Sequence, residues 1–209
     1  MKPQAVFVNA ITFMRVPFIV AWFAMAVADE FSPSLSLALA AGACMFLSGL
    51  TDAFDGALAR RWKVVSPLGK MADPLMDKVF YVVALPTLSW ILSHQGDQTH
   101  SLVMLVVAVL CILRDLWVTF LRSVGSLFGA DGAAMWLGKV RTAFTFPGAG
   151  AIYAFAIFND CESLASARPA LLAACYVVEA AMLAINFASV CTYTRAYMPY
   201  LRKALEKGS

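Results

Sequence analysis

Apolar residues run almost unbroken along this chain, and the polar ones gather in short clusters between them. Long apolar stretches cover Ile11 to Ala28, Ser34 to Leu58, Pro67 to Ser93, Leu102 to Val124, Leu137 to Phe158 and Ala170 to Tyr193. A helix of about 20 apolar residues crosses the hydrocarbon layer of a bilayer, and in lipid only helices and closed barrels satisfy every backbone group. The pattern predicts an all-α integral membrane protein, a six-transmembrane-helix bundle. The stretch MKPQAVFVNA before the first span is too short to cross and is expected to lie along the interface before the chain turns inward. AMAVADE, ending at Glu30, imitates a signal-peptide cleavage site, but Arg15 and Pro17 interrupt the run before it, so an uncleaved first span is expected. The connections are too short to hold another fold, and residues 1–209 are predicted to form one membrane domain.

The charges orient this bundle. One set of loops and ends carries Lys2, Arg60, Arg61, Lys63, Lys70, Arg122, Lys139, Arg141, Arg195, Arg202, Lys203 and Lys207. The opposite set carries Asp29, Glu30, Asp97, Asp160 and Glu162 against Arg168. Positive residues mark the cytoplasmic side. Six spans put both termini on one side, and the charge asymmetry makes that side cytoplasmic.

Composition agrees with this class: 61% of the residues are hydrophobic and 14% charged, far from the balance of a soluble domain. A net charge of +3, scattered along the chain, gives no footprint for nucleic acid. The five cysteines, Cys44, Cys111, Cys161, Cys175 and Cys191, are widely spaced and odd in number, so they suggest neither a disulfide framework nor a zinc site. They are expected to behave as small buried hydrophobes.

One stretch breaks the apolar pattern. Between Leu50 and Lys78 stand four aspartates, Asp52, Asp55, Asp73 and Asp77. Spacings of three and four place each pair on one helical face, about 60° and 40° apart. Pro67 can start the second helix, so the connection RRWKVVS would bring the two acidic edges together. Salt bridges to Arg60, Arg61, Lys70 and Lys78 explain one or two of these carboxylates but not four, because charge near a bilayer is costly. Divalent cations are the simplest compensation, and oxygen-only ligands suit Mg²⁺ or Mn²⁺, which keep water and substrate phosphate in their coordination sphere. Gly56, Ala57, Ala59 and Gly69 remove bulk beside the acids, for close approach of a ligand or of another helix.

A second polar group comes from LRDLWVTFLR and WLGKVRT. It contains Arg114, Asp115, Arg122, Lys139, Arg141 and Thr142. Asp115 and Arg122 lie about 20° apart on a helix and could pair, whereas Arg114 projects about 80° from Arg122. Several fixed cations beside a metal site fit an acceptor that carries phosphate.

The ordered run Asp52-x₂-Asp55-Gly56-x₂-Ala59-Arg60-x₈-Gly69-x₃-Asp73-x₃-Asp77 resembles the signature of the CDP-alcohol phosphatidyltransferase family at every specified position. The six-span plan extends this resemblance over most of the chain. It implies an enzyme that displaces CMP from a CDP-linked lipid by an alcohol hydroxyl at the cytoplasmic membrane face. It further implies that Asp52, Asp55, Asp73 and Asp77 hold two divalent metals, that Asp77 acts as general base or as a ligand only, and that Gly56, Ala59, Arg60 and Gly69 shape the nucleotide pocket. Asn9, Thr12 and Arg15 resemble the Asn-x-x-Thr-x-x-Arg opening of many members. Arg15 is either an interfacial snorkelling residue or a contact to nucleotide or to a ligand-bearing side chain.

Arg114-Asp115, Leu121-Arg122 and Gly138-Lys139-Val140-Arg141-Thr142 are most similar to the phosphatidylglycerolphosphate synthases, which implies CDP-diacylglycerol as donor and glycerol 3-phosphate as acceptor. Asp115 in place of glutamate, and Ser123 after Arg122 in place of an acid, leave inositol phosphate, phosphatidylglycerol or serine as alternative acceptors. The resemblance also suggests a homodimer in contact with membrane lipid, in a bacterial inner membrane. A cation channel or carrier with an aspartate-lined path is the alternative from another class, and it predicts transport without CMP release.

Overall fold

The computed structural model describes residues 3–62, 67–130, 135–159 and 161–206, with some side chains inside these helices left undescribed. The described residues form six long helices: α1 Pro3–Phe31, α2 Leu35–Trp62, α3 Pro67–His94, α4 Gln98–Leu127, α5 Trp136–Phe158 and α6 Arg168–Glu206. A single 3₁₀ turn, Glu162–Leu164, lies between α5 and α6, and the described residues contain no strand.

Each apolar stretch expected to span lies within one of these helices, apart from Ser34, which precedes α2 by one residue. Among the described residues, four helical segments are long and apolar enough to cross a membrane: Val6–Phe31, Leu35–Leu58, Gln98–Leu127 and Arg168–Glu206. In α5, Lys139, Arg141 and Gly148 interrupt the hydrocarbon. The first helix departs from expectation at its start. It runs from Pro3 through Pro17 without interruption, so no break separates an interfacial segment from the first span.

Short connections fold the helices back on one another. Gly96 takes a positive φ of 86° in the tight turn after α3, a conformation that a side chain would strain. Asp97 then caps α4 by accepting the His100 backbone N–H at 3.1 Å. Glu30, at the end of α1, accepts from Gln95 at 2.8 Å and lies 3.1 Å from His94 Nδ1, which ties two connections at one end of the bundle.

Inside the bundle, α1 packs on α2 and α3, α4 on α3 and α6, and α5 on α2, α3 and α6. Ile19, Trp22, Leu85, Leu88, Ile91, Leu92, Met104, Ile152 and Met182 form the buried core. Small residues such as Ala41, Ala84, Ala108 and Ala149, all buried, let backbones approach, as lipid-embedded helices require. Gly49 of α2 shows the limit of this closeness, because a Cβ there would collide with the Phe146 ring of α5. The outer surface carries Phe23, Leu39, Phe46, Val109, Leu113, Val177 and Phe187, all exposed. An exterior as apolar as the core is what a hydrocarbon solvent selects.

Of the five cysteines, Cys111 and Cys175 are buried, Cys44 and Cys191 half-buried and Cys161 exposed. The expectation of buried thiols therefore fails for Cys161, which stands in the α5–α6 connection rather than in a span.

Candidate active site

At the bundle end opposite the Glu30 contacts, a cavity of about 500 Å³ opens between the helices. Five of them supply charged side chains to its wall: Arg15 from α1, Asp55 from α2, Lys78 from α3, Arg114, Asp115 and Arg122 from α4, and Lys139 and Arg141 from α5. Tyr193 closes the wall from α6. The cavity thus joins the helix that carries the first aspartate pair to the basic group of α4 and α5.

On the acidic side, Asp55 is buried at 6% exposure. Thr12 donates its hydroxyl to Asp55 Oδ2 at 2.7 Å, and Arg15 Nη2 approaches the same oxygen at 3.8 Å. Asn9, Thr12 and Arg15 are all buried on one face of α1. A snorkelling arginine would keep its head in water, so the 3% exposure of Arg15 and its approach to Asp55 decide for the inward reading. Gly56 lines the cavity one residue later. Asp52, Ala59 and Arg60 sit in α2 and Gly69, Asp73 and Asp77 in α3, but beyond the helical backbone these positions lie outside the described residues.

On the basic side, Asp115 stands in a buried ion cluster with Arg114 and Arg141, not with Arg122 on its own helix face. Arg141 donates two parallel hydrogen bonds to Asp115, Nη1 to Oδ1 at 2.8 Å and Nη2 to Oδ2 at 2.9 Å. Arg114 Nη1 donates to Oδ1 as well, at 2.8 Å. Bidentate arginine–carboxylate pairs are among the strongest hydrogen-bonded contacts in proteins. Helical spacing identified residues that share a face of α4, but the long Arg141 side chain reaches Asp115 from α5. Two guanidinium groups and one carboxylate leave the cluster with a net single positive charge. Arg122, half-buried, and Lys139, exposed, line the same cavity.

Helix α6 completes the arrangement with residues that no motif marked. Arg141 Nε donates to Asn186 Oδ1 at 2.8 Å, while Ser189 Oγ accepts from both Nε and Nη2 of Arg114. The Tyr193 ring lies 5.3 Å from the Arg114 guanidinium and the Tyr81 ring 4.4 Å from that of Arg141, close enough for cation–π attraction. Tyr193 also accepts the Met135 backbone N–H at 2.9 Å, at the start of α5. A Cβ on Gly138 would stand 2.9 Å from that same hydroxyl, so glycine lets the Lys139 turn close on α6. A signal for these residues was present in the sequence. Asn186, Ser189 and Tyr193 recur at intervals of three and four in an otherwise apolar run, which is one face of a helix.

The family description CDP-alcohol phosphatidyltransferase matches residues 5–194. Relatives named CDP-diacylglycerol–glycerol-3-phosphate 3-phosphatidyltransferase include one from Haemophilus influenzae, 31% identical over 139 residues, which are 66% of this chain and 68% of that protein. Others come from Sodalis glossinidius, 35% identical over 98 residues, and Yersinia pestis, 36% identical over 94. In those two the match covers 46% and 44% of this chain and about half of the relative, 50% and 48%. With the family match running almost from end to end and four helices able to cross a bilayer, the chain is an integral membrane protein of the CDP-alcohol phosphatidyltransferase family.

Proposed function

We propose that this protein transfers the phosphatidyl group of CDP-diacylglycerol to glycerol 3-phosphate and releases CMP, a step of phospholipid synthesis. The observation that carries this reading is the shared cavity: Asp55 and Gly56 of the nucleotide signature face the same space as Arg114, Arg122, Lys139 and Arg141. The donor would enter from the acidic side and a phosphate-bearing acceptor from the basic side. The names of the relatives support both substrates.

In this reading the acceptor hydroxyl oxygen forms a bond to the lipid-bearing phosphorus as the bond from that phosphorus to CMP breaks. Asp77 takes the hydroxyl proton. Asp52, Asp55, Asp73 and Asp77 would hold two divalent cations, Mg²⁺ or Mn²⁺. The donor set fits, because hard carboxylate oxygens suit these ions and Asp55, whose side chain is described, is buried against the cavity. The ions supply charge neutralisation for the pyrophosphate. Thr12 and Arg15 hold Asp55 in place. Gly56, Ala59, Arg60 and Gly69 shape the nucleotide pocket, with Asn9 behind it, and the cations of α4 and α5 attract the acceptor phosphate.

The six helices would all cross the membrane as one domain over 1–209, with both termini and the cavity on the cytoplasmic face of a bacterial inner membrane. The family resemblance further suggests a homodimer. One experiment tests the function: purified protein in lipid is given CDP-diacylglycerol with glycerol 3-phosphate, inositol phosphate, phosphatidylglycerol or serine, and CMP and product mass are measured. Release of CMP with glycerol 3-phosphate alone, abolished by chelator and restored by Mg²⁺ or Mn²⁺, is the expected result. Ion flux without CMP release would overturn the proposal in favour of a channel or carrier.

A further inference from the structure

Arg114 and Arg141 are held more completely than charge pairing requires. A guanidinium has five N–H donors in one plane. Asp115 accepts two from Arg141 and one from Arg114, and a carboxylate alone would let each group pivot about it. The second anchor comes from another helix. Asn186 takes Nε of Arg141, and Ser189 takes Nε and Nη2 of Arg114. Tyr81 and Tyr193 lie against the flat faces. Each guanidinium therefore gives three hydrogen bonds to fixed partners and lines the cavity, with the Cys111 thiol also beside Arg141.

Asn186 and Ser189 are 3% and 0% exposed, three positions apart on α6, and lie outside the aspartate signature and the basic segments. Nothing about membrane insertion favours them there, since an apolar side chain would serve a lipid-embedded helix as well. Their hydrogen bonds end on the two buried arginines of the cavity, although Asn186 also donates to Met182 O and Cys111 Sγ. Groups held by two anchors in different directions lose little freedom when a ligand arrives, which is how a binding site is preorganised.

We propose that Asn186 and Ser189 of α6 are positioning residues that fix the Arg141 and Arg114 guanidinium planes, and thereby set the affinity for the phosphate of the acceptor rather than for the nucleotide donor. The proposal rests on the reading of the basic side as the acceptor site. It gives α6, which the sequence marks only as an apolar span, a role in acceptor selectivity.

The test uses the full chain in lipid nanodiscs, with Ser189→Ala, Ser189→Thr and Asn186→Leu compared with the unmodified protein. Ser189→Ala removes the acceptor of two Arg114 hydrogen bonds and little volume. It should raise KM for glycerol 3-phosphate about 10-fold, with kcat at saturating acceptor and KM for CDP-diacylglycerol within about 2-fold. Ser189→Thr, which keeps the hydroxyl, should restore the acceptor KM. Inorganic phosphate should inhibit competitively with the acceptor, and its inhibition constant should rise in parallel in Ser189→Ala. Asn186→Leu should follow the same split; if it fails to fold, the two serine variants decide the question. Equal rises in both KM values, an unchanged acceptor KM in Ser189→Ala, or no rescue by threonine would each overturn the proposal. A protein that releases no CMP with glycerol 3-phosphate refutes the proposed function instead. In that case calorimetric titration of inorganic phosphate still tests the positioning role, which predicts weaker binding to Ser189→Ala and is overturned by equal binding.

Discussion

Asp115 is the residue on which the basic half of the cavity turns, and Asp115→Asn isolates its charge. Its carboxylate accepts three short hydrogen bonds from two guanidinium groups whose side chains are 7% and 3% exposed. The amide keeps the shape, but it removes the negative charge and turns an N–H₂ group toward at least one arginine. Removing one member of a buried ion pair costs about 3–5 kcal/mol, because the partner charge stays buried and uncompensated. Arg114 and Arg141 border the cavity rather than a fully closed interior, so the lower end applies, about 3 kcal/mol or roughly 100-fold in the unfolding equilibrium. Unfolding of purified protein in mixed micelles of increasing SDS content, followed by tryptophan fluorescence, measures this directly. Arg141→Met and the double variant complete a cycle. The double variant should be more stable than the sum of the single losses predicts, by about 1–3 kcal/mol, because the uncompensated charge is then partly removed. A loss below about 1 kcal/mol for Asp115→Asn, or strict additivity in the cycle, would show that the cluster is solvated and that its geometry does not hold α4 against α5.

Three further tests address other parts of the bundle. Gly49→Ala places a methyl group into the Phe146 ring and should cost about 1–3 kcal/mol in the same unfolding assay, with Phe146→Leu recovering most of it; equal stability would mean that α2 and α5 do not pack this closely. Glu179→Ala should destabilise by about 3 kcal/mol or more, since Glu179 Oε1 lies 3.1 Å from His100 Nε2 with both residues fully buried, whereas His100→Phe with Glu179→Leu should regain stability; a neutral single variant would refute the pairing. A membrane-impermeant maleimide should label Cys161 ahead of the other cysteines, from the non-cytoplasmic side. The neighbouring Ser163, 3.1 Å away, holds its thiol pKa below the ordinary value, so Ser163→Ala should slow labelling near neutral pH; labelling from the cytoplasmic side would break the six-span topology.

The fold was legible in the sequence to the extent that lipid dictates it. Hydrocarbon leaves few backbone solutions, so each apolar stretch marked a helix. Helix ends were less legible, because a helix does not stop where the hydrocarbon layer stops. The last one continues beyond the expected Tyr193 to Glu206, with Arg195, Arg202 and Lys203 along its extension. Thr12 and Arg15 approach Asp55, but spacing within α1 could not name a partner that for Thr12 lies 43 residues away. The same limit applies at Asp115. Periodicity placed Arg122 on its face, but a carboxylate pairs with the best-placed donor in space, and that donor came from α5, 26 residues on.

The polar stripe of α6 shows why composition alone undervalued this helix. Glu179, Asn186, Ser189 and Tyr193 are all buried in a span that otherwise reads as hydrocarbon. A polar group inside a membrane protein must find a partner or cost stability, so each of them was bound to be bonded to something. What distinguishes them is the partner. Glu179 meets His100 at the end away from the cavity, where the pair joins α4 to α6. Asn186, Ser189 and Tyr193 meet Arg141, Arg114 and the start of α5, all of which border the cavity. Substitutions along one face of one helix should therefore divide by position. At Glu179 they should lower unfolding stability and leave acceptor KM unchanged in the protein that remains folded. At Ser189 they should raise acceptor KM at little cost in stability. A gradient in stability alone, with acceptor KM unmoved along the whole stripe, would mean that α6 serves packing at both ends and that the guanidinium groups keep their orientation through Asp115 without it.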